Sequence, residues 1–217
     1  MGRLLLIDGL IAGALLGVWY FWFIRYNHRK AATVLRWVQF ACADRGRVLA
    51  PRWIGSSLLQ ATLHLPSRWF ADAQLTVHLL PRHVPVQWMI SRWRKQKETL
   101  TFEADLEYAP GFQLDVFNHR WCGRSRSKFF SRSREWSLSR PGPVVLTTRE
   151  QWAQELTPVV NALVASREKN FLNVRFRPES PHFSATVALE TLYDKEAAAG
   201  LLTVLRELAA GASAKQL

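Results

Sequence analysis

From Leu4 to Ile24 the chain runs for 21 residues with no charged side chain except Asp8. A helix rising 1.5 Å per residue covers about 31 Å over that length, the depth of a bilayer's hydrocarbon layer. The segment therefore reads as a single transmembrane helix. It is expected to stay uncleaved, because the apolar run leads straight into Arg25, Arg29 and Lys30 and not into a small-x-small cleavage site. Asp8 lies within two turns of the amino end, where it can reach headgroup water.

One end of the run is crowded with rings: Trp19, Tyr20, Phe21, Trp22, Phe23 and Tyr26. Such side chains settle at the headgroup level and mark the water boundary. Beyond them come Arg25, Arg29, Lys30 and Arg36, against only Arg3 and the terminal amine at the other end, so the positive-inside rule places the carboxy-terminal part in the cytoplasm and the amino terminus outside. Gly9, Gly13 and Gly17 repeat every fourth residue and form a small-residue stripe on which a second transmembrane helix, from another copy or another subunit, can pack closely.

Past the boundary, Ala31, Val34, Leu35, Val38, Ala41 and Cys42 recur at helical spacing, which predicts an amphipathic continuation over 25–45 with Gly46 as its stop. Cys42 falls on the apolar stripe and reads as a small core residue. Short alternating runs follow: Leu59 to Leu65, Leu75 to Leu79, Leu100 to Leu106, Phe112 to Val116, Leu172 to Phe176 and Phe183 to Leu189. Two-residue periodicity with one polar face predicts antiparallel strands. The last two runs flank Arg177 to His182 and read as a hairpin. Two helical stripes are expected later. Trp152 to Val164 follows a capping-box pattern at Thr148–Gln151, and Leu201, Leu202, Leu205 and Leu208 end before Gly211.

The fold class is thus α+β: a transmembrane helix over 1–24, a juxtamembrane helix over 25–45, a domain of mainly antiparallel strands packed against two or three helices over 46–211, and a tail over 212–217. With 48% hydrophobic and 12% aromatic residues the chain is neither disordered nor collagen-like, and two cysteines exclude a disulfide framework.

Charge is distributed unevenly. Residues 1–140 hold 21 Lys and Arg against 9 Asp and Glu, which is the whole +12 excess of the chain. The clusters are Arg25, Arg29 and Lys30 beside the membrane, then Arg92, Arg94, Lys95 and Lys97, then Arg120, Arg124, Arg126, Lys128, Arg132 and Arg134. Held near a cytoplasmic leaflet, such residues suit anionic lipid, each contributing about 1 kcal/mol. The segment from Val86 to Lys95 mixes Trp88, Met89, Ile90 and Trp93 with cations, as an interfacial helix does. Nucleic acid is the competing acidic partner, favoured by 22 Arg to 7 Lys, although no RNA-recognition motif is present. Glu103, Asp105 and Glu107 alternate and are expected to line one solvated strand face.

No nucleotide-binding loop, metalloprotease motif, C-x-x-C pair or nucleophile elbow occurs. His119 and Cys122 stand two residues apart and are the nearest approach to a metal or nucleophile pair, while His64 and His78 fall on the polar faces of neighbouring strands. Neither pair reaches four ligands, so no metal or cofactor is expected. The expectation is a non-enzymatic, single-pass binding or scaffold protein whose basic domain meets membrane lipids or a membrane-complex partner. The alternatives are an RNA-associated membrane protein and an enzyme with a site near His119 and Cys122.

Overall fold

The computed structural model describes residues 2–42, 46–65, 70–118, 136–139, 144–149 and 171–213. The apolar run and the amphipathic stripe form one unbroken helix, α1 (Gly2–Cys42), whose 41 residues extend about 62 Å. Its first part projects from the domain, with Leu6, Leu10 and Leu15 each at least 64% exposed. Its second part turns Ala31, Val34, Val38 and Cys42 inward, none more than 3% exposed. Gly46 follows at a point where a Cβ would stand 2.8 Å from the His64 carbonyl oxygen, so only glycine lets the chain turn back so close to the sheet.

The described strands are β1 (Arg47–Gly55), β2 (Leu58–His64), β3 (Phe70–His78), β4 (Thr99–Leu106), β5 (Leu114–Asn118), β6 (Trp136–Ser139), β7 (Val144–Arg149), β8 (Phe171–Phe176) and β9 (Phe183–Ala188). They form one antiparallel sheet in the order β1-β2-β3-β4-β9-β8-β5-β7-β6. The alternation of the sequence is the alternation of burial: Leu59, Ala61, Leu63, Leu75, Val77, Leu100, Phe102, Ala104, Val174, Phe176, Phe183, Ala185 and Val187 all lie in one apolar cluster or beside it. The second half of α1 and the carboxy-terminal helix α3 (Lys195–Ser213) complete that cluster. Asp194 caps α3 by accepting a hydrogen bond from the Ala197 amide at 2.6 Å. The fold is α+β.

Several local expectations are corrected. Gly211 lies inside α3, which runs on to Ser213 with Leu208, Ala209 and Ala212 buried; packing overrides the helix-stop tendency of glycine. Thr148 belongs to β7, paired with Leu114, and not to a helix start. Strands β1 and β7 carry no alternation that announces them, and β6 is only four residues long. Glu107 follows the end of β4, so the acidic stripe is reduced to Glu103 and Asp105. The helical stripe over Trp152–Val164 lies outside the described residues.

The turn from Gly55 to Leu58, the segment between β3 and β4, and the start of β8 all lie at one end of the sheet. That end meets the middle of α1. Between β3 and β4 stands α2 (Pro85–Trp93), started by Pro85 in its first turn.

Candidate functional site

The middle of α1 is fastened to the sheet end by a buried polar cluster. Glu98 is 7% exposed and accepts hydrogen bonds from Lys30 Nζ at 2.5 Å, Arg82 Nη1 at 2.5 Å and the Leu80 amide at 3.2 Å. Asn27, fully buried, donates to the carbonyls of Leu80 at 3.2 Å and Ser56 at 3.4 Å. Burial alone pushes the Glu98 carboxyl up. The hydrogen bond and charge of Lys30, the charge of Arg82 and the Leu80 amide outweigh it and hold the group below its ordinary value. The acid is therefore ionised at neutral pH and stitches together helix, loop and strand start.

One to two turns before Asn27 the contacts of α1 become aromatic. Trp19 donates its indole N–H to the Arg82 carbonyl at 3.0 Å, and the Trp88 ring lies 5.9 Å from that of Trp19 and 6.4 Å from that of Phe23. Tyr20 meets His83 edge-on at 5.7 Å, and Ser56 Oγ is 2.7 Å from His83 Nε2. Helix α2 is thereby fixed beside the ring-rich end of the apolar segment.

The faces of α2 are inverted relative to a core helix. Ser91, 6% exposed, and the half-buried Trp88 are turned toward the protein. Val86, Met89, Ile90 and Trp93, spaced i, i+3, i+4 and i+7, are turned away and are 62%, 67%, 42% and 84% exposed. This spacing gathers them into one apolar stripe about a quarter of the helix circumference wide. Gln87 and Arg92 flank it, and Arg94 and Lys95 follow its end, all exposed.

The sequence-derived site residues fall into distinct places. Arg25, Arg29, Arg92, Arg94 and Lys95 are exposed at the same end of the molecule as α2. Lys30 is committed to Glu98, and Lys97 meets Glu190 at 2.8 Å. A Cβ at Gly9, Gly13 or Gly17 would meet nothing within 4 Å, so the stripe is open along the projecting half of α1. Arg120, Arg124, Arg126, Lys128, Arg132 and Arg134, with His119 and Cys122, lie outside the described residues. His64 and His78 occupy opposite ends of their strands: His78 is the partner of Leu58, six residues or about 20 Å along β2 from His64, so they cannot share a ligand. Asp105 fastens the β8–β9 hairpin, accepting from Ser180 Oγ at 2.9 Å and the His182 amide at 3.3 Å. Among the described residues no group of three His, Cys, Asp or Glu side chains could hold a metal ion.

Glu98 is the residue that sequence patterning does not reveal. Its partners are 68 and 16 residues away, and the one local sign is an acid embedded between Lys97 and the first strand residues. No protein-family model matches the chain, and no curated protein is significantly similar to it.

Proposed function

We propose that the chain is a single-pass membrane protein whose α+β domain is held against the cytoplasmic leaflet by α2, presenting a fixed binding surface there. The observation that carries this reading is the outward apolar stripe of α2 beside Trp19 and Phe23. Four exposed apolar side chains on one helical face are costly in water, and complete burial of each is worth about 1.5–3 kcal/mol. Their height is not arbitrary. Trp19 and Phe23 end the apolar run, so a bilayer around α1 brings its headgroup layer to α2.

In that setting α2 lies in the plane of the leaflet with Val86, Met89, Ile90 and Trp93 among acyl chains. Arg92, Arg94 and Lys95 then meet anionic headgroups, together with Arg25 and Arg29 of α1. The Glu98 cluster joins the membrane helix to the domain without a flexible linker, which suits a scaffold that must hold one orientation. The glycine stripe gives the anchor a face for another transmembrane helix.

A unique thiol probe tests the reading. On a Cys122→Ser background, with Cys42 buried, Met89→Cys or Glu179→Cys is labelled with an environment-sensitive dye in the full chain and placed in phosphatidylcholine–phosphatidylglycerol vesicles. The dye at 89 should shift to the blue and be quenched by lipid-borne nitroxide. The dye at 179, on the hairpin at the far end of the sheet, should report water. A dye at 89 that behaves like the one at 179 would refute the placement of α2. Failure of an impermeant thiol reagent to reach 179 in intact cells checks the orientation.

A further inference from the structure

Behind the end of α2 lies a cleft of about 340 Å³, lined by His78, Arg94, Lys95, Lys97, Thr99 and Leu172 together with residues 79–81 and Gln96. Three cations and a histidine stand in its wall, Arg94 and Lys95 from exposed positions. The acid nearest in sequence, Glu98, is turned away toward Lys30 and Arg82, and Glu190 engages Lys97 from an exposed position.

The chain that builds this wall carries a conformational anomaly. The Lys95 amide donates to the Arg92 carbonyl at 3.0 Å and the Gln96 amide to the Ser91 carbonyl at 2.9 Å, the pattern of a Schellman cap. Lys95 occupies the left-handed position of that cap, with φ at 52°. Glycine is the usual residue there, because a Cβ in this conformation is penalised. A lysine kept where glycine folds more easily points to a need for its side chain. Compensation of the helix C-terminal dipole accounts for a cation near this turn, but Arg92 and Arg94 already supply it.

We propose that this cleft is a phosphate-binding site in which Arg94, Lys95 and His78 hold the anion and Thr99 offers a hydroxyl, with Lys97 adding positive charge from the rim. The inference deepens the membrane-surface reading and rests on it only for the source of the phosphate. With α2 in the leaflet, the cleft opens beside the headgroup layer, so the ligand is a phospholipid headgroup or a soluble phosphate ester.

Two arms separate these sources. In the first, the full chain in neutral detergent is titrated calorimetrically with glycerol 3-phosphate. In the second, it is placed in nanodiscs of mixed phosphatidylcholine and phosphatidylglycerol, and the lipid retained per chain is counted by native mass spectrometry. Saturable binding in the first arm assigns the site to soluble esters as well as lipid headgroups. Selective retention of phosphatidylglycerol in the second arm alone assigns it to lipid. Removing both charges in Arg94→Gln/Lys95→Gln should weaken either by about tenfold or more.

Lys95→Gly is the decisive variant, because it should melt a few degrees higher while binding weakens severalfold. Undiminished affinity in Lys95→Gly, or no saturable binding in either arm, would overturn the proposal. The detergent arm needs no bilayer, so its outcome is independent of whether α2 lies in lipid.

Discussion

The two halves of α1 are one continuous helix, yet they answer to different surroundings. In the projecting half, apolar side chains face every direction: Leu6, Leu10, Ile11, Leu15, Leu16 and Val18 are all more than half exposed. In the other half Ala31, Val34, Val38 and Cys42 vanish into the core with Leu35 and Trp37 packed beside them, while Thr33, Arg36, Gln39 and the single large ring of Phe40 remain outside. A helix apolar all round has no side to present to water, whereas a striped one has a single side to give to a sheet. The change comes near Arg25, and the polar cluster of Asn27, Lys30, Arg82 and Glu98 occupies the junction between the two regimes.

A carboxylate introduced into each half gives the largest test of that contrast. Val34→Asp puts a charge at a position 2% exposed, and we expect the domain to lose about 4 kcal/mol or more, read as collapse of its thermal transition. Leu15→Asp should leave that transition where it is and instead make insertion about 3 kcal/mol less favourable, read as protein lost from the membrane fraction. If both variants melted like the native chain, the second half of α1 would not be part of the core.

Next in size is the junction. Glu98→Ala leaves Lys30 and Arg82 without their shared acid, and because Lys30 is about a third exposed the loss should fall near the lower end of the 3–5 kcal/mol typical of broken buried pairs. Chemical denaturation of the full chain in detergent measures it. The same acid sets a pH dependence. Burial raises its pKa, but Lys30, Arg82 and the Leu80 amide bring it below the ordinary 4.5. The ionised form is thus favoured more in the folded than in the unfolded chain, so its contribution is present above that value and fades as pH falls through the depressed one. Glu98→Gln should flatten this acid limb. An unchanged slope between pH 5 and 2 would show that the cluster does not stabilise the junction.

How much of this was legible depends on whether a residue's environment repeats locally. The strands from β2 to β4 and β8 to β9 have one face in the core, so Leu59 to Leu65 or Leu100 to Leu106 announce themselves by alternation. The interfacial mixture of rings and cations in α2 was legible, but the outward face was not: Trp88 turns in toward Trp19 and Phe23, and Val86 takes its place beside Met89, Ile90 and Trp93. Strand β1 was not legible either. It is an edge strand on which Arg47, Leu49, Ala50, Pro51, Arg52 and Ile54 are all exposed, and burial imposes no alternation on it. Lys30 looked like one more cation beside a membrane because its partner is distant in the chain. The charge excess said where to look, while the division of labour among the cations needed the fold.

The smallest expected stability effects come from glycines, and they separate the halves once more. Gly46→Ala drives a methyl group to 2.8 Å from the His64 carbonyl oxygen and 2.9 Å from Leu65 Cδ2. A backbone oxygen cannot swing aside as a side-chain end can, so the turn must shift, at a cost of about 1–3 kcal/mol in the melting of the domain. Gly13→Ile meets nothing within 4 Å and should leave that melting unchanged. Its effect should appear only between chains, as weaker crosslinking or co-purification of whatever helix packs on Gly9, Gly13 and Gly17. Unaltered association after Gly13→Ile would mean that lipid alone covers the stripe. A destabilised domain after Gly13→Ile would mean instead that the projecting half of α1 folds back onto the domain, and the contrast between the two halves would fail.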